Sequence, residues 1–377
     1  MDKLLGNYAD LAEKTAESCA YPGSFLAEEW HDPEVWRHLI RGKVFDLLAY
    51  TPPKRDLNAR LISRSGRRGV QTERVAWDQP YGPPTEAYFL KPLEAQGKLP
   101  AVIALHDHGG FKYYGKEKLT ALPEEPEILR EFKARCYQGL SWATRLAERG
   151  YAVLVPDIFL WGSRRMIAEE VPPEFTQGLA GKTPGSYAYI EAYNTFCRDH
   201  ETMIAKSLFM AGTTWTGVML YETMRAVDYL FTRSDVDHSR IGCGGFSGGG
   251  EQAIYLTGMD ERIKCSVCVC FMTTFAQTVK RNIQSHTWMF HLPHLANLMD
   301  FPDVAALSGG VPLLVQYGEQ DPLFSDAGKQ ESREKLQKIY GKMGFPERYA
   351  GRFYAGGHQF DCAMQDDAFA WFDTWLR

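Results

Sequence analysis

Ser247, Asp321 and His358 stand in the chain order nucleophile, acid, base, and residues of these types can together make a hydroxyl attack a carbonyl. A serine hydroxyl is a poor nucleophile until a base takes its proton, and the base needs a third group to orient it. Ser247 lies in Ile241-Gly-Cys-Gly-Gly-Phe-Ser-Gly-Gly-Gly-Glu-Gln-Ala-Ile254, where Gly245-Phe-Ser-Gly-Gly249 fits G-x-S-x-G. The stretch reads as a buried strand, a sharp turn and a helix. In that context the serine projects from the strand end. Glycines flank it on both sides, as two closely passing backbones require. The amide of Gly248 would then face an oxyanion at the helix start. Gly-rich turns of this kind also cradle phosphates. However, the chain has no G-x-x-x-x-G-K-[ST], and no acidic residue follows a strand about 20 positions on.

The other two residues each sit just past a predicted strand end. Asp321 is in Gly318-Glu-Gln-Asp-Pro-Leu-Phe324, after the apolar run Val311–Tyr317. His358 is in Ala355-Gly-Gly-His-Gln-Phe360, after the short strand Arg352–Tyr354. Asp321 would hold the imidazole tautomer, and His358 would pass the proton between Ser247 and a leaving group. Glu319 competes for the acid role, and Asp321 before Pro322 could also merely open a turn. A fourth piece, Leu105-His-Asp-His-Gly-Gly-Phe111, follows an apolar strand and can donate the second oxyanion N–H. His108 or Gly110 would be the donor, with His108 preferred. Such a donor is typically worth ~10²–10³ in rate. His106 and His108 also invite a metal reading, but alternate strand residues point to opposite faces and a zinc site needs three or four converging ligands. No metal and no cofactor is therefore expected. His286, His291 and His294 read as lining or core residues.

These residues need a sheet to position them. Val70–Trp77 and Thr85–Lys91 read as strands around a Pro/Gly turn, and Leu99–Leu105 as a uniformly apolar central strand. A helical stretch ending at Arg149-Gly150 leads into a strand at Tyr151–Val155, a strand–helix–strand unit that implies parallel pairing. Leu220, Met224, Val227 and Leu230 have helical spacing. Ile263–Phe271 is a further buried strand, a helix is expected over about Ser325–Tyr340, and Ala368, Phe372 and Trp375 or Leu376 mark one face of a last helix. Residues 1–65 read as an N-terminal helical extension and 66–377 as the catalytic domain. Two irregular stretches, about 158–212 and 272–308, read as lid-like insertions over the strand ends. Trp161, Trp215, Met272 and Trp288 are the expected apolar lining.

Together these motifs resemble the α/β-hydrolase superfamily, in the branch of dienelactone hydrolases and acetyl xylan esterases. The resemblance covers roughly residues 70–377. It rests on Leu-His-Asp-His-Gly-Gly, Gly-Phe-Ser-Gly-Gly, Gly-Glu-Gln-Asp and Gly-Gly-His. It implies a mostly parallel, eight-stranded twisted sheet flanked by helices. It also implies a cofactor-free serine hydrolase of small-acyl or acetyl-type esters, acting through an acyl-enzyme. Asp157, in Val155-Pro-Asp-Ile-Phe-Leu-Trp-Gly162, resembles a structural turn of that fold. The chain departs from the pattern in three places. Ser247 stands where dienelactone hydrolases carry cysteine, Gly248 where xylan esterases carry glutamine, and Asp107 where glycine is more usual. An amide, peptide or carbon–carbon hydrolase would use the same triad, and a non-catalytic binding module of the fold would usually have a broken one.

Composition agrees with a globular enzyme. The chain has 377 residues, 45% of them apolar, with a net charge of −5. Interspersed charge gives no basic footprint for nucleic acid and no polybasic membrane patch. No apolar run is long enough to span a bilayer, and the first residues lack a signal-peptide core. The eight cysteines show no disulfide framework. Cys265-x-x-Cys268 lacks a second pair and reads as buried strand thiols, so a reducing cytoplasm is the expected compartment. A small-molecule ester is the expected partner, and homo-oligomerisation stays open.

Overall fold

The computed structural model describes residues 4–377, and its centre is one nine-stranded sheet. The strands are β1 (Arg60–Arg67), β2 (Val70–Trp77), β3 (Thr85–Pro92), β4 (Leu99–Leu105), β5 (Ala152–Pro156), β6 (Val236–Phe246), β7 (Cys265–Val269), β8 (Leu313–Gly318) and β9 (Tyr349–Tyr354). Their spatial order is β1-β2-β3-β5-β4-β6-β7-β8-β9. The pairs from β1 to β5 across β2 and β3 are antiparallel, and every pair from β5 through β4 to β9 is parallel. The central parallel strands β4, β5, β7 and β8 are buried along nearly their whole length because helices cover both faces.

The strand count is nine rather than the expected eight. The additional strand is β1, which begins inside the stretch read as helical extension. Every residue of β1 is exposed. With Arg60, Arg64 and Arg67 on an edge, it has no apolar alternation to announce it, and such charge discourages pairing with other chains. β6 also starts earlier than expected, since the polar Asp235–Arg240 link is largely strand.

The helices are α1 (Ala9–Glu17), α2 (Pro33–Leu48), α3 (Glu127–Tyr137), α4 (Trp142–Glu148), α5 (Pro173–Thr176), α6 (Tyr187–Met210), α7 (Trp215–Phe231), α8 (Gly248–Met259), α9 (Phe275–Arg281), α10 (Phe301–Ala306), α11 (Asp326–Lys342) and α12 (Cys362–Leu376). The irregular stretch 158–212 proves to hold a 24-residue helix, α6, capped by the Ser186 hydroxyl accepting from the Tyr189 amide. Its buried residues Tyr189, Ile190, Tyr193, Phe196, Cys197, His200, Glu201 and Ala205 recur at three- and four-residue spacing. That period was present in the sequence. The Pro184-Gly185 pair before it and the aromatic and polar mixture within it obscured the signal.

Of the N-terminal helices, α1 packs on α9 and α2 on α7, with Arg41 reaching α8. Phe25 and Trp36 are fully buried in the main core. The Gly23 amide donates to Leu298 O (2.7 Å), Ser24 Oγ to Asp303 Oδ1 (2.6 Å) and Arg41 Nε to Gly258 O (2.6 Å). Among the described residues no helix is long and apolar enough to cross a membrane.

Candidate functional site

Ser247 occupies the single residue between β6 and α8. Its backbone is held at φ 56° and ψ −121°, a conformation that non-glycine residues rarely adopt. The Ser247 amide donates to Val269 O at 2.8 Å, tying the turn to β7. The glycines serve close packing. A Cβ at Gly249 would lie 2.1 Å from Leu105 O, and one at Gly245 would lie 2.5 Å from the same oxygen. So α8 can start directly against β4 and β6 only because these positions lack side chains.

The loops after β8 and β9 meet at this turn. His358 Nε2 is 2.8 Å from Ser247 Oγ, and His358 Nδ1 is 2.7 Å from Asp321 Oδ2. With Nδ1–H donating to the carboxylate, Nε2 is left as the acceptor for the serine proton. Asp321 Oδ1 also accepts from the Leu323 amide at 2.9 Å. Glu319, the competing acid, is exposed, whereas Asp321 is buried. The Phe246 ring packs at 4.6 Å from the His358 ring. Cys270 Sγ also lies in this corner. It brings a third ligand-type atom within 4.8 Å of those of Asp321 and His358, but it bonds to Gln359 O.

The amides expected to form the oxyanion pocket also come together. A Cβ built at Gly248 would stand 3.0 Å from His108 N. Among the described residues neither of these two amides meets a protein acceptor. Gly110 is excluded as the donor because its N–H is spent on His108 Nδ1 at 3.0 Å.

The loop that carries His108 is braced from several sides. Asp107 is fully buried, accepts from Tyr137 Oη and pairs with Lys118, whose Nζ also donates to Asp107 O at 2.8 Å. Trp161 Nε1 donates to His108 O at 3.2 Å. The His108 ring meets Glu201 of α6, with Nε2 at 2.6 Å from Oε1. The same carboxylate accepts from Lys112 Nζ and, at 2.8 Å, from Thr287 Oγ1. Burial works against ionisation of Glu201, but the His108 hydrogen bond and the Lys112 charge hold its pKa at about 2. One ionised side chain thus joins the oxyanion loop, α6 and the stretch before β8. Nothing in the sequence spacing pointed to Glu201, which is 93 residues from its histidine partner.

The remaining sequence candidates have structural places. His106 is fully buried, and burial followed by the Lys118 charge lowers its pKa to about 4. Asp157 accepts from Lys116 N, Lys116 Nζ and Ser163 N within 2.8 Å and shapes a turn. Trp161, Trp215, Met272 and Trp288 do not line the cleft. Trp161 and Trp215 sit in a separate buried cluster with Met289, which Trp288 packs against, and Met272 belongs to the main core. The cleft around Ser247, of about 570 Å³, is walled instead by Phe271, Phe290 and Phe324, with His286 and Glu251. Both irregular stretches contribute walls, through Arg198 and Glu201 in the first and Gln284–Thr287 in the second.

A strained serine at a strand-to-helix turn, with acid and histidine past later parallel strands, defines an α/β-hydrolase. The sequence model of the dienelactone hydrolase family matches residues 138–363, more than half of the chain. The chain belongs to that family and is a carboxylic-ester hydrolase. It is 27% identical over 337 residues to a candidate hydrolase of Bacillus subtilis (strain 168), YtaP, covering 89% of this chain and 98% of that one. Among solved structures it resembles a candidate acetyl xylan esterase from Bacteroides fragilis NCTC 9343 (TM-score 0.70, 17% identity, 92% of this chain and 82% of that one). It also resembles a glucuronoyl esterase from Solibacter usitatus (TM-score 0.62, 14% identity, 91% and 93%). At these identities the two structures speak for the fold.

Proposed function

We propose that the chain hydrolyses small-acyl, acetyl-type esters through an acyl-enzyme formed on Ser247. The observation that carries this reading is the unbroken hydrogen-bond relay Ser247–His358–Asp321 at the wall of one cleft. Ser247 Oγ attacks the ester carbonyl as His358 Nε2 takes its proton. The carbonyl oxygen, now negative, moves between the His108 and Gly248 amides. Collapse of this tetrahedral species expels the alcohol, protonated by His358. Water then enters, loses a proton to the same nitrogen and releases the acid, restoring Ser247. Asp321 keeps the ring in the tautomer this cycle needs and stabilises the imidazolium.

Phenylalanine walls suit the acyl or alcohol carbon skeleton of a small ester, and the esterase names of the structural neighbours point the same way. We also take residues 1–65 as an extension and 66–377 as the catalytic domain, and place the enzyme in the cytoplasm. The latter is supported by eight free cysteines, six of them buried. Steady-state hydrolysis of p-nitrophenyl acetate tests the proposal. Ser247→Ala should lower kcat by ~10⁴–10⁶, and a fluorophosphonate probe should label the parent protein at Ser247. Retention of most activity in the variant would reject the assignment.

A further inference from the structure

Glu251 and His286 both wall the catalytic cleft, and neither is used by the triad or the oxyanion amides. Glu251 lies one helical turn beyond Ser247 on α8 and is 1% exposed. Its Oε1 has no hydrogen-bond partner among the described residues, and no cation is paired with it. A buried, unpartnered carboxyl is costly, so a fold that keeps one beside its nucleophile leaves a partner to be supplied from outside. Burial pushes the Glu251 carboxyl well above the ordinary carboxylate range, which favours the protonated form and so a proton donor.

His286 is the complement. Its Nε2 is also buried and without a partner. Burial, then the neighbouring His291 and His358, lowers its pKa to about 4, so the ring is neutral. A neutral imidazole carries one N–H and one lone pair, so its free nitrogen can meet a hydroxyl from either side of a hydrogen bond. The ring lies flat on Phe290, at 4.3 Å and 4° between planes, which fixes its direction. Phe271, Phe290 and Phe324 fill the wall around these two polar atoms.

We propose that this wall, with Glu251 and His286 as its polar groups, is a subsite for a hydroxyl carried by the ester substrate. A hydroxyl can accept from a protonated Glu251 carboxyl or share a hydrogen bond with the His286 ring nitrogen. Arg135 and Arg198 also line the cleft, but the two polar groups argued from here, a protonated Glu251 and a neutral His286, carry no charge and so match a neutral hydroxyl. The proposal rests on the esterase reading above and narrows it to hydroxylated esters.

Two matched pairs of esters test it on the intact chain, with acid release followed by pH-stat. Ethyl lactate against ethyl propanoate places the hydroxyl on the acyl side. 2-Hydroxyethyl acetate against propyl acetate places it on the alcohol side. In at least one pair the hydroxylated ester should have a kcat/KM about tenfold higher, the factor one net hydrogen bond supplies. Glu251→Leu should bring that ratio to within about twofold of one. If Glu251→Leu does not fold, His286→Phe, which keeps the stacking and removes the lone pair, should reduce the same ratio. Ratios near one in both pairs for the parent, or a ratio that survives in every folded variant, would overturn the subsite. No turnover of any of the four esters by the parent, with Ser247 unlabelled by fluorophosphonate, would overturn the esterase reading itself.

Discussion

The catalytic proposal depends on a few hydrogen bonds whose donors and acceptors are assigned by their surroundings. Asp321 takes its second lone-pair direction from the Leu323 amide, so its carboxylate is aimed at His358 by the backbone. Replacing it by asparagine would keep the shape but favour the wrong imidazole tautomer. Asp321→Asn should therefore lower kcat by ~10⁴ with KM little changed, measured on p-nitrophenyl acetate. Glu201 acts at one remove. It touches the His108 ring, and the His108 amide faces the oxyanion. Glu201→Gln keeps one oxygen but loses the charge that draws in Lys112, so a loss in kcat of about tenfold is expected, short of the ~10²–10³ for losing a donor outright. The folded-state pKa of Glu201 is depressed to about 2 from 4.5. Its contribution to stability is therefore fully present above pH 4.5 and lost only as pH falls toward 2.

Among the elements, α8 is the most constrained. All of its residues are buried, and its first turn is pressed against β4. Gly249→Ala would drive a Cβ into Leu105 O, a backbone atom that belongs to the β4 pairing and cannot yield. A loss of about 1–3 kcal/mol is expected from overpacking, read by urea unfolding. Activity should fall as well, because His108 follows β4 by three residues. At the start of α10, Asp300 caps the helix by accepting from the Phe301 amide at 2.8 Å and also accepts from the Phe275 amide at 3.0 Å. Burial raises its pKa to about 7, opposed by the Lys335 charge and reinforced by Asp303. The native state then binds more protons than the unfolded chain between the usual value of 3.8 and about 7, so this group makes stability fall as pH rises through that window. Asp300→Asn, which can still cap, should flatten that part of the Tm-against-pH curve. An unchanged slope would show that Asp300 titrates normally.

For the molecule as a whole, the N-terminal segment is part of the same core as the sheet. Trp36 is fully buried and its Nε1 donates to Gly23 O at 2.9 Å. Leu48 O accepts from Thr214 Oγ1 at 2.7 Å, next to Gly217, where a Cβ would lie 2.2 Å from that carbonyl. Trp36→Ala should cost about 3–5 kcal/mol in unfolding free energy. Because Trp36 is not a cleft residue, the KM of the folded fraction should stay unchanged. The two long stretches after β5 and β7 meet over the cleft, joined there by the Glu201–Thr287 hydrogen bond. That contact makes the roof of the site a product of tertiary packing.

What the sequence determined by itself was the part written in local rules. The G-x-S-x-G turn, the apolar central strands and the glycines before His358 each follow from backbone geometry within a few residues, so Ser247, Asp321 and His358 could be named as a candidate triad and the His108 and Gly248 amides as candidate oxyanion donors. β1 escaped because an exposed arginine-bearing edge strand carries no hydrophobic period. α6 escaped because its buried stripe lay among polar residues behind a Pro-Gly pair. The tertiary structure alone decided which side chains wall the cleft. Phe271, Phe290, Phe324, His286 and Glu201 are brought to Ser247 by separate segments, and contacts across such separations leave no spacing to read, whereas Glu251 stands one turn along the Ser247 helix. It also decided between His108 and Gly110, since only the folded loop shows one amide spent on a ring nitrogen and the other left to meet a ligand.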